Sequence, residues 1–158
     1  MYYDSLILAL IAITPITYRA DCEEKFPDRD NVPAYHIVTN LESHINFCRD
    51  ITDEYIVHEV GHEIHHIIRT DPDFEIYVNA FQKLHDMSSS DGDYVSQYAQ
   101  TNVNEDFAET IEYFYQRNKT IPDIVEPDWI SSGVSNVQRT KFLLIDIIIK
   151  KLQEDDRF

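Results

Sequence analysis

Four histidines and two glutamates fall within nine consecutive positions, His58-Glu59-Val60-Gly61-His62-Glu63-Ile64-His65-His66. In an α-helix, residues four apart share a face and lie about 6 Å apart along the axis. His58 and His62 can therefore point two imidazoles at one ion. Glu59 is rotated by about 100° from His58, where its carboxylate reaches a water on that ion without being a ligand itself. Imidazole suits zinc, and a carboxylate can take the proton that the metal has acidified. This is the H-E-x-x-H arrangement, two histidines for zinc and a glutamate as general base.

The two further histidines fit that ion poorly. His66 lies about 12 Å along the axis from His58, too far to join it on a straight helix. A metzincin would place its third histidine six residues after the second, past a turn-forming glycine, and position 68 is isoleucine. His65 and His66 are expected in solvated or hydrogen-bonded structural roles. Gly61 costs a helix roughly 1 kcal/mol against alanine, which implies that something packs close there.

A second segment strengthens the first. In Tyr98 to Tyr115 (YAQTNVNEDFAETIEYFY), Glu105 and Glu109 are four apart and share a helix face, while Phe107, Ile111 and Phe114 lie on others. Glu105 is positioned to supply a third, oxygen ligand. Glu109 is positioned as a carboxylate behind the ligands, since a ligating histidine usually donates its other N–H to an acceptor. The competing reading of this acidic pair is a solvated helix face.

Together the two segments resemble a family. His-Glu-Val-Gly-His followed by Tyr98, Glu105, Phe107, Ala108 and Glu109 is similar to the catalytic domain of anthrax lethal factor and to the clostridial Pro-Pro endopeptidases. The resemblance covers about 60 residues, Tyr55 to Tyr115. It implies a gluzincin in which His58, His62 and Glu105 hold one zinc and Glu59 is the base. It further implies that Tyr98 donates its phenolic O–H to the oxyanion formed during peptide hydrolysis. Asp106 departs from the aromatic residue usual after the ligand glutamate, and the flanking chain matches poorly, so substrate specificity does not carry over.

These residues need helices to position them. Thr52 can cap a helix that runs to about Arg69, where Thr70-Asp71-Pro72 stops it. Phe74, Tyr77, Val78, Phe81 and Leu84 recur at helical spacing. Asp86 to Asp93 reads as an exposed loop. Asn102 with Glu105 forms a capping-box pattern at the start of the next helix. Residues 120 to 134 look irregular, and a last helix spans roughly Asn136 to Gln153. Tyr35 to Thr39 has strand composition. The fold class expected is α+β, a small zincin-like metallopeptidase domain, mostly helical, with a minor N-terminal sheet.

Composition bounds the function. At 158 residues with 43% hydrophobic content, the chain suits one globular domain with a single core. A net charge of −16 would repel nucleic acid, whose phosphates need clustered Lys and Arg, and would favour cations or basic peptides; the alternative is that the charge simply keeps a small protein soluble. Leu6 to Ile13 is an apolar run of signal-peptide length, too short to span a bilayer, as is the run Phe142 to Ile149. Ala20-Asp21 offers a cleavage point, but Asp4 precedes the run and Tyr18 stands where a small residue is preferred. A buried first helix or strand is the alternative. The export reading, with residues 1–20 removed and 21–158 secreted as the domain, permits a Cys22–Cys48 bridge; a cytosolic chain would keep both thiols free. The expected activity is zinc-dependent endopeptidase action on a peptide or protein substrate, without stable membrane insertion. The rival is a non-catalytic metal- or partner-binding module derived from a toxin-like zincin, or a structural zinc closed by His65 or His66.

Overall fold

The computed structural model describes residues 16–18, 34–38, 43–47, 53–120 and 134–154. Leu6 to Ile13, the Thr52 cap, Cys22, Cys48 and most of the 120–134 segment lie outside these. Three strands come first: β1 (Ile16–Tyr18), β2 (Ala34–Val38) and β3 (Ser43–Phe47). The central β3 pairs in parallel with β1 and antiparallel with β2, with His36 opposite Ile45. β1 belongs to the segment that cleavage after Ala20 would remove, so an exported mature chain would lose that strand.

Four helices follow, α1 (Asp53–Thr70), α2 (Glu75–Met87), α3 (Val103–Thr120) and α4 (Asn136–Glu154), and they make the described structure mostly helical. α1 buries Val57, Val60, Ile64 and Ile68, a stripe at helical spacing, and packs against β2, β3 and α3. Asp71 caps the 3-10 turn Pro72–Phe74 that breaks the chain between α1 and α2, its Oδ1 accepting the Asp73 N–H at 2.9 Å. Phe107 of α3 sits at the centre of the core, edge-on to Phe81 of α2 at 4.9 Å and stacked on His65 of α1 at 4.5 Å. α4 closes the core with Phe142, Ile145, Ile148, Ile149 and Leu152. Among the described residues no helix is long and apolar enough to cross a membrane.

Two sequence expectations are corrected here. The segment 86–93 is not simply an exposed loop: α2 runs on through Met87, and Asp93 is buried in the 3-10 turn Asp91–Asp93. Its carboxylate accepts from the Ser89 and Ser90 N–H groups and the Ser90 hydroxyl, and a hydrogen bond from Ser135 first, then these, hold its pKa down at about 2. At the start of α3, Asn102 caps as expected, its Oδ1 accepting from the Asn104 and Glu105 N–H groups. The Glu105 carboxylate, which a capping box would turn back to Asn102, instead presents Oε2 to His58 and His62.

Asp106, the position that departs from the family pattern, is fully buried and pairs with Lys141 Nζ of α4 at 2.6 Å and His85 Nδ1 of α2 at 2.8 Å. Lys141 also donates to the Asp93 carbonyl at 3.0 Å and lies over the Tyr94 ring at 4.3 Å. An aromatic at position 106 would leave the buried ammonium of Lys141 without its counter-charge. One polar cluster thus ties α3 to α2 and α4.

The tightest contact is between α1 and α3. A Cβ added at Gly61 would lie 2.8 Å from Ala108 Cα and 3.2 Å from Ala108 Cβ. Since the nearest obstacle is backbone, Gly61→Ala must push the helices apart. The gain in helix propensity, about 1 kcal/mol, is outweighed by overpacking at about 1–3 kcal/mol. Chemical denaturation should show Gly61→Ala to be less stable than the native chain; equal or greater stability would contradict this packing.

Candidate metal centre

α1 and α3 cross at Gly61 and Ala108, and their facing polar stripes meet one turn away. His58 Nε2 and His62 Nε2 lie 3.2 Å apart. Glu105 Oε2 is 3.3 Å from the first and 3.2 Å from the second. These three atoms form a nearly equilateral triangle. A tetrahedral ion with ligands at about 2.0–2.1 Å would separate its ligand atoms by roughly 3.3–3.4 Å. The triangle therefore has the size of one face of such a coordination shell, and the donor set of two imidazoles and a carboxylate suits zinc.

The hydrogen bonding points the same way. Glu105 Oε2 is buried and accepts no well-formed hydrogen bond although two ring nitrogens are in contact with it. Two ring nitrogens, within hydrogen-bond distance of each other, and a carboxylate oxygen converge on one point where a cation could be held. Three atoms of this kind rarely face one another in the interior unless something positive satisfies them.

Charge supports the same conclusion. His58 Nδ1 donates to Glu109 Oε1 at 2.9 Å and lies 3.5 Å from Glu112 Oε2. Burial works to lower the His58 pKa, but Glu105, Glu109, Glu112 and Glu59 together push it up to about 12. Burial likewise works to raise Glu105, and the two imidazoles against it hold it at about 2. The carboxylates thus demand positive charge at this spot strongly enough to draw a proton onto His58. A divalent cation in the triangle meets that demand without the proton.

Glu59 is buried, and its charge is felt at both His58 and Tyr98. Tyr98 occupies the 3-10 turn Tyr98–Gln100 just before α3, a half-exposed ring with its centroid 6.0 Å from that of His58. Burial first, then the Glu105 carboxylate beside it, push its phenol up. All six residues singled out from the sequence, His58, Glu59, His62, Tyr98, Glu105 and Glu109, therefore lie in one neighbourhood.

His65 and His66 do not join it: among the described residues, the groups able to hold a metal are His58, His62 and Glu105, and His58, Glu109 and Glu112. Sequence reasoning missed Glu112 and Ser96. Glu112 extends the Glu105–Glu109 stripe by one more turn, a signal that was present at helical spacing. Ser96, whose hydroxyl donates to Glu109 Oε2 at 2.6 Å, carries no such signal.

Comparisons with protein-family models, with curated proteins and with solved structures found no match.

His65 makes the helix pairing sensitive to pH. Burial, with Arg69 and His62 nearby, lowers its pKa from 6.5 to about 4. The folded state then binds the proton less well than the unfolded chain. The stabilising contribution is complete above pH 6.5 and is lost as pH falls towards 4. At about 1.4 kcal/mol per unit, the loss is on the order of 3 kcal/mol. His65→Phe keeps a ring against Phe107 and removes the proton, so its unfolding free energy should fall by that much less than the native chain's between pH 6.5 and 4. Parallel curves for the two proteins would show that His65 is not held neutral.

Proposed function

We propose that the chain is a zinc-dependent endopeptidase whose metal is held by His58, His62 and Glu105. The observation that carries this reading is the triangle of His58 Nε2, His62 Nε2 and Glu105 Oε2 with 3.2–3.3 Å edges, flanked by a buried Glu59. On this reading the domain is a small zincin like the lethal-factor-type peptidases that its two motifs resemble. In support, those motifs, far apart in the chain, meet across the Gly61–Ala108 contact.

When bound, zinc supplies the Lewis acidity that makes water a usable nucleophile near neutral pH. The protein's own groups do the rest. Glu59 takes the proton of the attacking water and passes it to the departing amine. Tyr98, whose phenol is pushed up by burial and then by Glu105, donates its O–H to the scissile carbonyl oxygen as that oxygen gains charge. Glu109 holds the His58 Nδ1–H, so that Nε2 faces the ion. The substrate is a peptide or protein segment, and a net charge of −16 favours cationic sequences around the cleaved bond.

The decisive variant is Glu59→Gln. It keeps the side chain's size but cannot accept the water's proton, so peptide-library hydrolysis should fall by orders of magnitude while zinc content and fold persist. Undiminished turnover would remove Glu59 from the mechanism, and a native chain without zinc-dependent hydrolysis would leave a binding module.

Tyr98 separates this reading from a generic H-E-x-x-H protein. Tyr98→Phe should leave zinc affinity and stability nearly unchanged and lower kcat by roughly 10²–10³, the scale of one lost oxyanion donor. A normal kcat in that variant would make Tyr98 an ordinary surface aromatic.

A further inference from the structure

Ser96 stands in the bend before the Tyr98 turn, and its hydroxyl is engaged on both sides. It donates to Glu109 Oε2 at 2.6 Å and accepts the Ala99 N–H at 3.0 Å. The other oxygen of the same carboxylate, Glu109 Oε1, receives the His58 Nδ1–H at 2.9 Å. A line of hydrogen bonds therefore runs from the backbone of the Tyr98 turn to an imidazole of the candidate metal centre. A hydroxyl has one proton to give and lone pairs to receive. Because Ala99 N–H occupies a lone pair, the Ser96 proton is left pointing at Glu109. An O–H···O⁻ bond of this length belongs to the strong, charge-assisted class.

This second bond matters because the Glu109 carboxylate can otherwise turn. It sits on a helix surface with 17% of its side chain exposed, and Glu112 Oε2 already lies 3.5 Å from the same ring nitrogen. With one oxygen held by Ser96, the other is fixed in place for His58 Nδ1, and the plane of the imidazole follows. The direction of Nε2, which faces His62 and Glu105, is then set from outside the cluster.

We propose that Ser96 is a positioning residue for the metal centre, acting by locking Glu109 against His58 Nδ1. The inference rests on the zinc reading above, and it adds a member from the loop that neither motif contains.

The test is zinc affinity, measured by competition with a chromophoric chelator on the full chain and four variants. Ser96→Ala should weaken zinc binding roughly tenfold, at the lower end of the 10–100-fold range for losing an outer partner of a metal ligand. Ser96→Thr, which keeps the hydroxyl, should restore it. In a Glu109→Ala background, adding Ser96→Ala should change the affinity little, because the route through Glu109 is already gone. Native zinc affinity in Ser96→Ala, or an equal loss in both backgrounds, would overturn the role of Ser96 and leave the zinc reading standing. A native chain that takes up no zinc would overturn both.

Discussion

The close approach of Gly61 and Ala108 is the constraint on which the other features depend. Two helices whose backbones come within van der Waals contact cannot slide or separate without losing that fit, because interiors are packed near crystal density. The contact lies between His58 and His62 on α1, and between Glu105 and Glu109 on α3. A larger side chain at either small residue would widen the gap, and the Glu105 carboxylate would no longer reach both imidazoles. The glycine that weakens α1 as an isolated helix is therefore the residue that lets α1 and α3 build one site. Phe107, stacked on His65 and edge-on to Phe81, prevents α3 from rotating and so keeps its acidic stripe turned towards the histidines.

Charge is distributed around that crossing in two separate clusters. On one side, Glu59, Glu105, Glu109 and Glu112 gather around His58, with His62 against Glu105, in a group that could hold a cation. On the buried side, Asp106 is neutralised by Lys141, with His85 against the same oxygen. Adjacent residues of α3 thus serve opposite ends. Glu105 faces the two imidazoles of α1, whereas Asp106 is paired with Lys141 and His85. Burial pushes the Lys141 ammonium down and Asp106 opposes that, so the pair holds only while both partners remain.

Much of this arrangement can be read from residue spacing, and the remainder shows where spacing stops being informative. His58 and His62, and Glu105 and Glu109, declare themselves because four-residue spacing within one helix is a local property. The ends of α1 and α4 are likewise set by local signals, Asp71-Pro72 and the apolar period of 136–153. The Asp106–Lys141 pair is a contact across 35 residues, and nothing in either helix alone names the partner. A lysine among the core positions of α4 was the available hint, since a buried ammonium requires a counter-charge. Ser96 gave no hint, because a serine in a polar loop has many uses and its bond to Glu109 depends on how the loop folds back. The capping box at Asn102 failed for a physical reason: Glu105 has a stronger partner in two imidazoles than in one backbone N–H.

On the proposed reading, three side chains from two helices hold one metal and leave part of its coordination shell to water or substrate. Zinc K-edge X-ray absorption on the zinc-loaded chain tests it most directly, because the spectrum counts imidazoles and distinguishes nitrogen and oxygen from sulfur. The expected spectrum shows one zinc per chain with two imidazole ligands and oxygen completing the shell, at about 2.0–2.1 Å. Three or four imidazoles, which would bring in His65 or His66, or any sulfur ligand, would contradict it.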